Sequence, residues 1–316
     1  MESLKIYQFG FWKNYLIQMR PYLFFISGIS GLVGMAFSGK LIISDIFSLL
    51  LFISFCLSYG FGQALTDCYQ VDTDSISSPY RPLSSGLLSN SSVKKVSVIG
   101  LVSITIILIY SNPYNLVFCF LSVLGLISYT YVKKNYWLLG PPHNSWIVAL
   151  LPIMGYLSLI EGLNFPMDGY LVLLVTFFSY FNFVLIGYLK DVSADRATGY
   201  NTFPVRFGWD MTIWVGDFIY IISITIYTLL VLESLIPLII GIVAFTIALT
   251  GQVYAHLTKE KNESRSTYPI LSSVRHFILI HCGLAIYFEP KLSFLCIVFY
   301  LLFEVVSFMR PVKGQI

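Results

Sequence analysis

The chain predicts an all-α membrane protein, a polytopic bundle of nine or ten transmembrane helices forming one domain over residues 1–316. Three observations carry that expectation. Hydrophobic residues make up 57% of the sequence and its mean hydropathy is +0.78. Only 11% of the residues are charged, against about 25% in an ordinary soluble domain. Apolar runs long enough to cross the hydrocarbon core recur from end to end. The lipid bilayer is therefore an obligate partner, and no nucleic-acid partner is expected.

Taken in order, the apolar runs place spans near 22–38, 43–65, 94–111, 113–132, 145–162, 169–189, 211–232, 236–257, 270–288 and 291–309. Arg275, His276 and His281 interrupt the ninth, and a nine-span reading makes one of the last two segments re-entrant or interfacial. Residues 1–20 mix Lys5, Lys13 and Arg20 with aromatics and lack the clean apolar stretch of a signal peptide. The five cysteines are scattered, with no Cys-x-x-Cys, so a disulfide framework or zinc site is not expected and each is read as a small buried hydrophobe. Internal repetition is at best a faint parallel between the halves.

Charge sets the sidedness. The N-terminus, the loops after even-numbered spans and the C-terminus together hold 17 of the 19 basic residues, leaving only Lys40 and Lys291 opposite. The positive-inside rule puts that end in the cytoplasm. The possible glycosylation sites at Asn90 and Asn262 fall on this side and are set aside.

Five of the 16 acidic residues sit in two short patches at that end. Asp67, Asp72 and Asp74 follow the second span; Asp191 and Asp195 follow the sixth. On continuing helices Asp191 and Asp195 would share a face at i,i+4, as would Asp67, Gln70 and Asp74 at i, i+3 and i+7, with Asp72 pointing elsewhere. Helix C-termini are already negative, so a bare anion is disfavoured there and a divalent cation is favoured. Mg²⁺ suits such a place, because it binds through one or two carboxylates plus substrate phosphates. A transporter would more naturally bury its charges near the bilayer midplane beside broken helices.

The first patch runs Gly62-Gln63-Ala64-Leu65-Thr66-Asp67-Cys68-Tyr69-Gln70-Val71-Asp72-Thr73-Asp74, then Pro79-Tyr80-Arg81-Pro82-Leu83-Ser84-Ser85-Gly86. It resembles the first aspartate-rich motif of the UbiA superfamily of intramembrane prenyltransferases, with a tail similar to that of the chlorophyll synthase branch. The second, Asp191 to Asp195 followed by Arg196-Ala197-Thr198-Gly199 and Thr202-Phe203-Pro204-Val205-Arg206-Phe207-Gly208, resembles the second motif of that family. Arg20-Pro21, Tyr129 with Lys133, and Asn144 are weaker echoes. The similarity spans about residues 15–260.

The resemblance implies helices around a central prenyl-binding cavity and Mg²⁺-dependent transfer of an isoprenyl group from a prenyl diphosphate of C10–C20 to an aromatic or lipid-like small-molecule acceptor. It implies Asp67, Asp74, Asp191 and Asp195 as catalytic metal ligands, with Gln70 as a neutral oxygen ligand. Gln70, Arg81, Tyr129, Lys133, Asn144, Lys190 and Arg196 are the implied substrate-binding residues. Three positions depart from the pattern: Thr66 stands for an Asn, Gln70 for an Asp, and Tyr188 for an upstream acidic residue. The first-motif losses are similar to those of UbiA-type terpene cyclases, which makes cyclisation of a prenyl diphosphate the alternative. His276 and His281 are read as packing residues. Asp217 and Glu304, carboxylates inside predicted spans, stand out as candidates for function.

Overall fold

The computed structural model describes residues 3–310. Its helices are α1 (Phe9–Met19), α2 (Phe24–Phe37), α3 (Ile46–Asp67), α4 (Val71–Ser77), α5 (Asn90–Ser111), α6 (Asn115–Asn135), α7 (Gly140–Leu157), α8 (Met167–Gly187), α9 (Val192–Ala197), α10 (Phe203–Val231), α11 (Leu235–Leu257), α12 (Thr267–Phe288) and α13 (Ser293–Phe308). Each of the ten expected spans is a helix. Among the described residues eight helices are long and apolar enough to cross a bilayer alone, and the pair Phe9–Met19 and Pro21–Phe37, bent by 43°, makes nine if it is one span. That is the lower of the two expected counts. The shortfall lies at α7, which has 18 residues and begins Gly-Pro-Pro-His-Asn. Its start also precedes the expected one, because proline is tolerated in a first helical turn where the N–H would be unpaired anyway.

Local chemistry sets the other boundaries. The Asp45 carboxylate caps α3 by accepting from Ser48 N at 2.9 Å, and Ser89 caps α5 by accepting from Ser92 N at 3.1 Å; both satisfy otherwise orphaned amides. Gly208 adopts φ +77° within α10, a backbone state that glycine alone enters freely. The motif turn Phe203–Phe207 is thereby separated from the membrane-crossing stretch that follows.

Two groups of helices share one core. α2 packs on α3, α7 and α12; α8 packs on α7, α10 and α12; α11 lies between α10 and α12. The α2–α7 contact is close enough that a Cβ at Gly34 would overlap the carbonyl of Pro152, and one at Gly155 would overlap that of Gly31. Small residues permit this approach, which replaces the hydrophobic drive that lipid cannot supply. α12 is the most enclosed of the crossing helices, and both His276 and His281 are fully buried in it. His281 bonds Thr176 Oγ1 at 3.0 Å and Phe277 O at 2.7 Å, the packing role expected of it. All five cysteines are free.

One expectation of sidedness needs correction. Arg275, expected among the loop cations, lies inside α12 and forms a two-pronged pair with Glu304 of α13, at 2.7 Å through both Nε and Nη2. Tyr300 donates to the same carboxylate at 2.7 Å. Glu304 is thus neutralised within the bundle. The loops bearing both acidic patches, with α4 and α9, gather at one end, where Thr73 Oγ1 and Thr198 Oγ1 meet at 2.8 Å.

Candidate active site

Neither acidic patch continues the span before it, although Asp191 caps a new short helix in which Asp195 follows one turn later, its N–H bonded to Asp191 O at 2.7 Å. α3 ends at Asp67, and α4 resumes at Val71 after a turn. α8 ends at Gly187 and passes through a tight turn, Tyr188–Lys190, before α9. These breaks fold the carboxylates around a polar chamber instead of stacking them along a face. Asp67, Gln70, Asp74, Arg81, Tyr129, Lys133, Asn144, Lys190 and Asp191 all line it. Asp195 and Arg196 do not. Arg196 is exposed. Asp195 is fully buried behind the chamber, where Lys133 Nζ lies 3.2 Å from its Oδ1 and Thr202 Oγ1 donates to Oδ2 at 3.1 Å.

Each buried carboxylate on this wall has a cation. Arg20 Nη2 contacts both oxygens of Asp67, at 2.8 and 2.7 Å. Gln18 and Gln63 add amide donors to the same group at 2.5 and 2.6 Å. Arg81 Nη1 sits 2.7 Å from Asp74 Oδ2. Burial pushes the Asp74 carboxyl up, but Arg81, followed by Arg20 and Lys133, outweighs it and holds the group below the usual carboxylate range. Asp195 goes the other way: its burial dominates, and Lys133 only partly offsets the rise.

In the sequence Arg20 stands out only as an echo of the family pattern, and Gln18, Gln63, Tyr59 and Tyr180 carry no expectation of a place at the site. Gln63 was open to detection, since it precedes Asp67 by one helical turn. Gln18 was not, because a loop separates its helix from α3. Tyr188, the departure from the family pattern, bonds Tyr129 OH at 2.8 Å, and its ring lies 5.1 Å from Lys133 Nζ.

Two features show what the chamber accepts. Nε of Arg20 and Nε of Arg81 are buried without a hydrogen-bond partner among the described residues. Such orphaned donors are costly in a low dielectric unless an acceptor arrives. Four cations (Arg20, Arg81, Lys133, Lys190) and three carboxylates (Asp67, Asp74, Asp191) line the chamber, and Asp195 behind Lys133 brings the charges to balance, so the orphaned guanidinium donors, not a net charge, mark the place of an anion. The chamber also opens into an apolar pocket through the shared residues Tyr59, Gln63, Tyr129, Asn144 and Tyr180. That pocket lies among α2, α3, α5, α6, α7 and α8 and encloses about 860 Å³, its open mouth included. An anionic head and an apolar tail fit this pair of spaces.

The comparisons agree with this construction. The sequence pattern of the UbiA prenyltransferase family matches residues 27–281. The chain is 26% identical over 180 residues to the digeranylgeranylglyceryl phosphate synthase of Sulfurisphaera tokodaii, covering 57% of this chain and 62% of that enzyme. It is 24% identical over 213 residues to its counterpart in Methanocaldococcus jannaschii, covering 67% and 73%, and 30% identical over 171 residues to chloroplastic chlorophyll synthase of Arabidopsis thaliana, covering 51% and 43%. The matches therefore span less than two thirds of the first of these relatives and less than half of the plant enzyme. In fold it resembles a UbiA homologue from Aeropyrum pernix K1, with a TM-score of 0.69 at 15% identity over 82% of this chain and 96% of that one. It also resembles one from Archaeoglobus fulgidus bound to GPP and Mg²⁺, with a TM-score of 0.62 at 17% identity over 84% and 99%. With its defining pattern matched across most of its length, the chain belongs to the UbiA prenyltransferase family.

Proposed function

We propose that this protein transfers an isoprenyl group from a prenyl diphosphate to an aromatic or lipid-like acceptor, with the acidic loops on the cytoplasmic side. The observation that carries the reading is the pair of buried guanidiniums, each with an orphaned Nε, in a chamber that opens into an apolar pocket. Arg20 and Arg81 offer forked donors to the non-bridging oxygens, and Lys133 and Lys190 add point charges. Asp195 and Thr202 fix Lys133 from behind.

Mg²⁺ fits the donor set. Among the described residues no three His, Cys, Asp or Glu side chains converge as a ready cage, so substrate phosphates would have to complete its shell. Asp74 and Asp191, with Oε1 of Gln70, would hold it, and Asp67 would join them by exchanging one of the donors from Arg20, Gln18 and Gln63 that now fill its oxygens. Bound there, it would neutralise charge on the departing diphosphate. Gln70 turns its amide nitrogen toward Thr130 Oγ1 at 3.3 Å, which leaves its oxygen for the chamber.

The reaction breaks the bond from C1 to the diphosphate oxygen, and the electron pair leaves with the oxygen. Positive charge develops on the allylic carbons, and the ring faces of Tyr59, Tyr129 and Tyr180 at the junction can stabilise it. The acceptor supplies an electron pair to C1 and then loses a proton. The test is pyrophosphate release by the purified protein with geranyl, farnesyl or geranylgeranyl diphosphate, with and without Mg²⁺ and candidate acceptors. Release that needs Mg²⁺, is lost in Asp191→Ala and yields a prenylated acceptor supports transfer. Metal-dependent release of a cyclic product without acceptor would replace transfer by cyclisation, the outcome that Thr66 and Gln70 favour. Release indifferent to chelator and to Asp191→Ala would sink the shared mechanism.

A further inference from the structure

A second polar constellation lies between α10 and α11, and its lining shares no residue with the chamber. Asp217, Tyr220 and Ile221 of α10, with Phe245, Ala248, Leu249, Gln252, Val253 and His256 of α11, line a groove of about 470 Å³, its open side included. At one end His256 Nε2 meets Asp217 Oδ2 at 2.7 Å, and both side chains are about one quarter exposed. Gln252 lies one helical turn deeper. It is 5% exposed, and neither its amide nitrogen nor its oxygen has a hydrogen-bond partner among the described residues. The small side of Gly216 makes room for it: a Cβ there would lie 3.0 Å from Gln252 Nε2 and 3.0 Å from Asn182 Oδ1. Deeper still, Ala248 and Phe245 face the groove, while Ile221, Leu249 and Val253 are among the exposed apolar residues at its edge.

The vertical order of these groups identifies the ligand. His256 is in the last turn of α11, at the same end of the bundle as the acidic loops. From His256 to Phe245 the helix descends roughly 16 Å. A phosphoglycerolipid standing beside α11 presents the same sequence from interface inward: a charged head, then ester carbonyls, then hydrocarbon. A carboxylate such as that of Asp217 accepts hydrogen bonds, so a head that donates them is favoured over a choline, which cannot. The amide of Gln252 provides a donor at the depth of an ester carbonyl, where an unpartnered polar group is most costly.

We propose that the α10–α11 groove is a specific lipid site. A phosphatidylethanolamine-type lipid sets its ammonium on Asp217 beside His256, an ester carbonyl on Gln252 Nε2 and an acyl chain along Phe245 and Leu249. The site is separate from the prenyl diphosphate chamber and does not depend on its chemistry.

Trp214 reports on it, since its ring centroid lies 4.7 Å from that of His256. The experiment reconstitutes the whole protein in bilayers of phosphatidylcholine containing increasing fractions of brominated phosphatidylethanolamine. The quenched tryptophan fluorescence that disappears in Trp214→Phe is then measured. The expected result is quenching at low fractions of the brominated lipid, with an affinity above that of brominated phosphatidylcholine. Gln252→Leu removes one hydrogen bond to an ester carbonyl that both lipids carry and should weaken the affinity for either brominated lipid by about fivefold, while thermal unfolding verifies that the variant is folded. Asp217→Asn should erase the head-group preference. Quenching that follows bulk composition for both lipids, an affinity untouched by Gln252→Leu, or a head-group preference untouched by Asp217→Asn, overturns the proposal.

Discussion

Arg20 holds Asp67 across 47 residues of sequence, with one guanidinium nitrogen 2.8 and 2.7 Å from the two carboxylate oxygens. The contact depends on an uncommon backbone. Arg20 has φ 56° and ψ 72°, the only positive φ of a non-glycine among the described residues. A left-handed residue costs roughly 1–2 kcal/mol. Here it ends α1, starts the turn into α2 and aims the side chain at the mouth of α3. Strain at such a position is found where the surroundings over-determine it, and the clamp on Asp67 supplies that constraint.

Removing one partner of a buried ion pair leaves the other uncompensated, at a cost of about 3–5 kcal/mol. Arg20→Ala should therefore lower the unfolding temperature and abolish pyrophosphate release together. Asp67→Asn keeps the shape but leaves the buried Arg20 guanidinium uncompensated, so it should lose activity and stability together as well. Thermal unfolding in detergent beside a release assay checks both. Full activity in Arg20→Ala would remove this residue from the diphosphate site.

Gln70 offers a test in the direction of gain. It lines the chamber between Asp67 and Asp74, and its oxygen is neutral where the family pattern has a carboxylate. Metal affinity rises with ligand charge, so Gln70→Asp should lower the Mg²⁺ concentration needed for half-maximal release by several-fold. A Mg²⁺ titration at fixed prenyl diphosphate measures this. An unchanged midpoint would place Gln70 outside the metal shell.

These two residues also mark how far the sequence could be read. The spans and both acidic patches were legible, because apolar length and local charge density are one-dimensional signals. Helix continuity through the patches was not. Breaks after Asp67 and at Tyr188–Lys190 depend on how α4 packs against α9, a contact between segments more than a hundred residues apart. The breaks sent Asp195 behind the wall and left Arg196 in solvent, while Asp191 stayed in the chamber. Arg20 was visible only as a dipeptide echo, for its role comes from a single left-handed residue. Asp217 and Glu304 were conspicuous by chemistry, yet their partners, His256 and Arg275, became identifiable only once neighbouring helices were placed.

Asp74 and Asp195 should give opposite pH signatures. Asp74 is held below its unfolded value, near 3.9 for an aspartate, so its stabilisation is complete above that pH and is lost as pH falls through the folded value. Asp195 is held above its unfolded value. In the window between the two values the folded state binds the extra proton, so stability falls as pH rises through it. The unfolding temperature of the wild type relative to Asp195→Asn should therefore improve as the pH is brought down from neutral toward 4. Relative to Asp74→Asn, the wild type should lose ground below 4. Parallel profiles for the wild type and both variants would contradict the two assignments.

The apolar pocket supplies the last test. From Tyr129 to Cys119 along α6, and from Asn144 to Met154 along α7, it descends ten residues, about 15 Å at the helical rise. At its far end Cys119 Sγ and Met154 Sδ lie 3.8 Å apart. Below them Asn112 donates to the carbonyls of Leu157, Ile160 and Gly162, and Asn115 donates to Leu108 O and Ser158 Oγ. This hydrogen-bonded floor cannot yield to a longer chain without leaving buried polar groups unpaired. A bulky side chain placed just above it should shorten the usable depth and leave the chamber intact. Met154→Trp is expected to keep release from geranyl diphosphate within about twofold while reducing kcat/KM for geranylgeranyl diphosphate by tenfold or more, a transition-state difference of about 1.4 kcal/mol. Equal losses for short and long substrates would mean that the tail leaves the pocket sideways, between helices, before it reaches Met154.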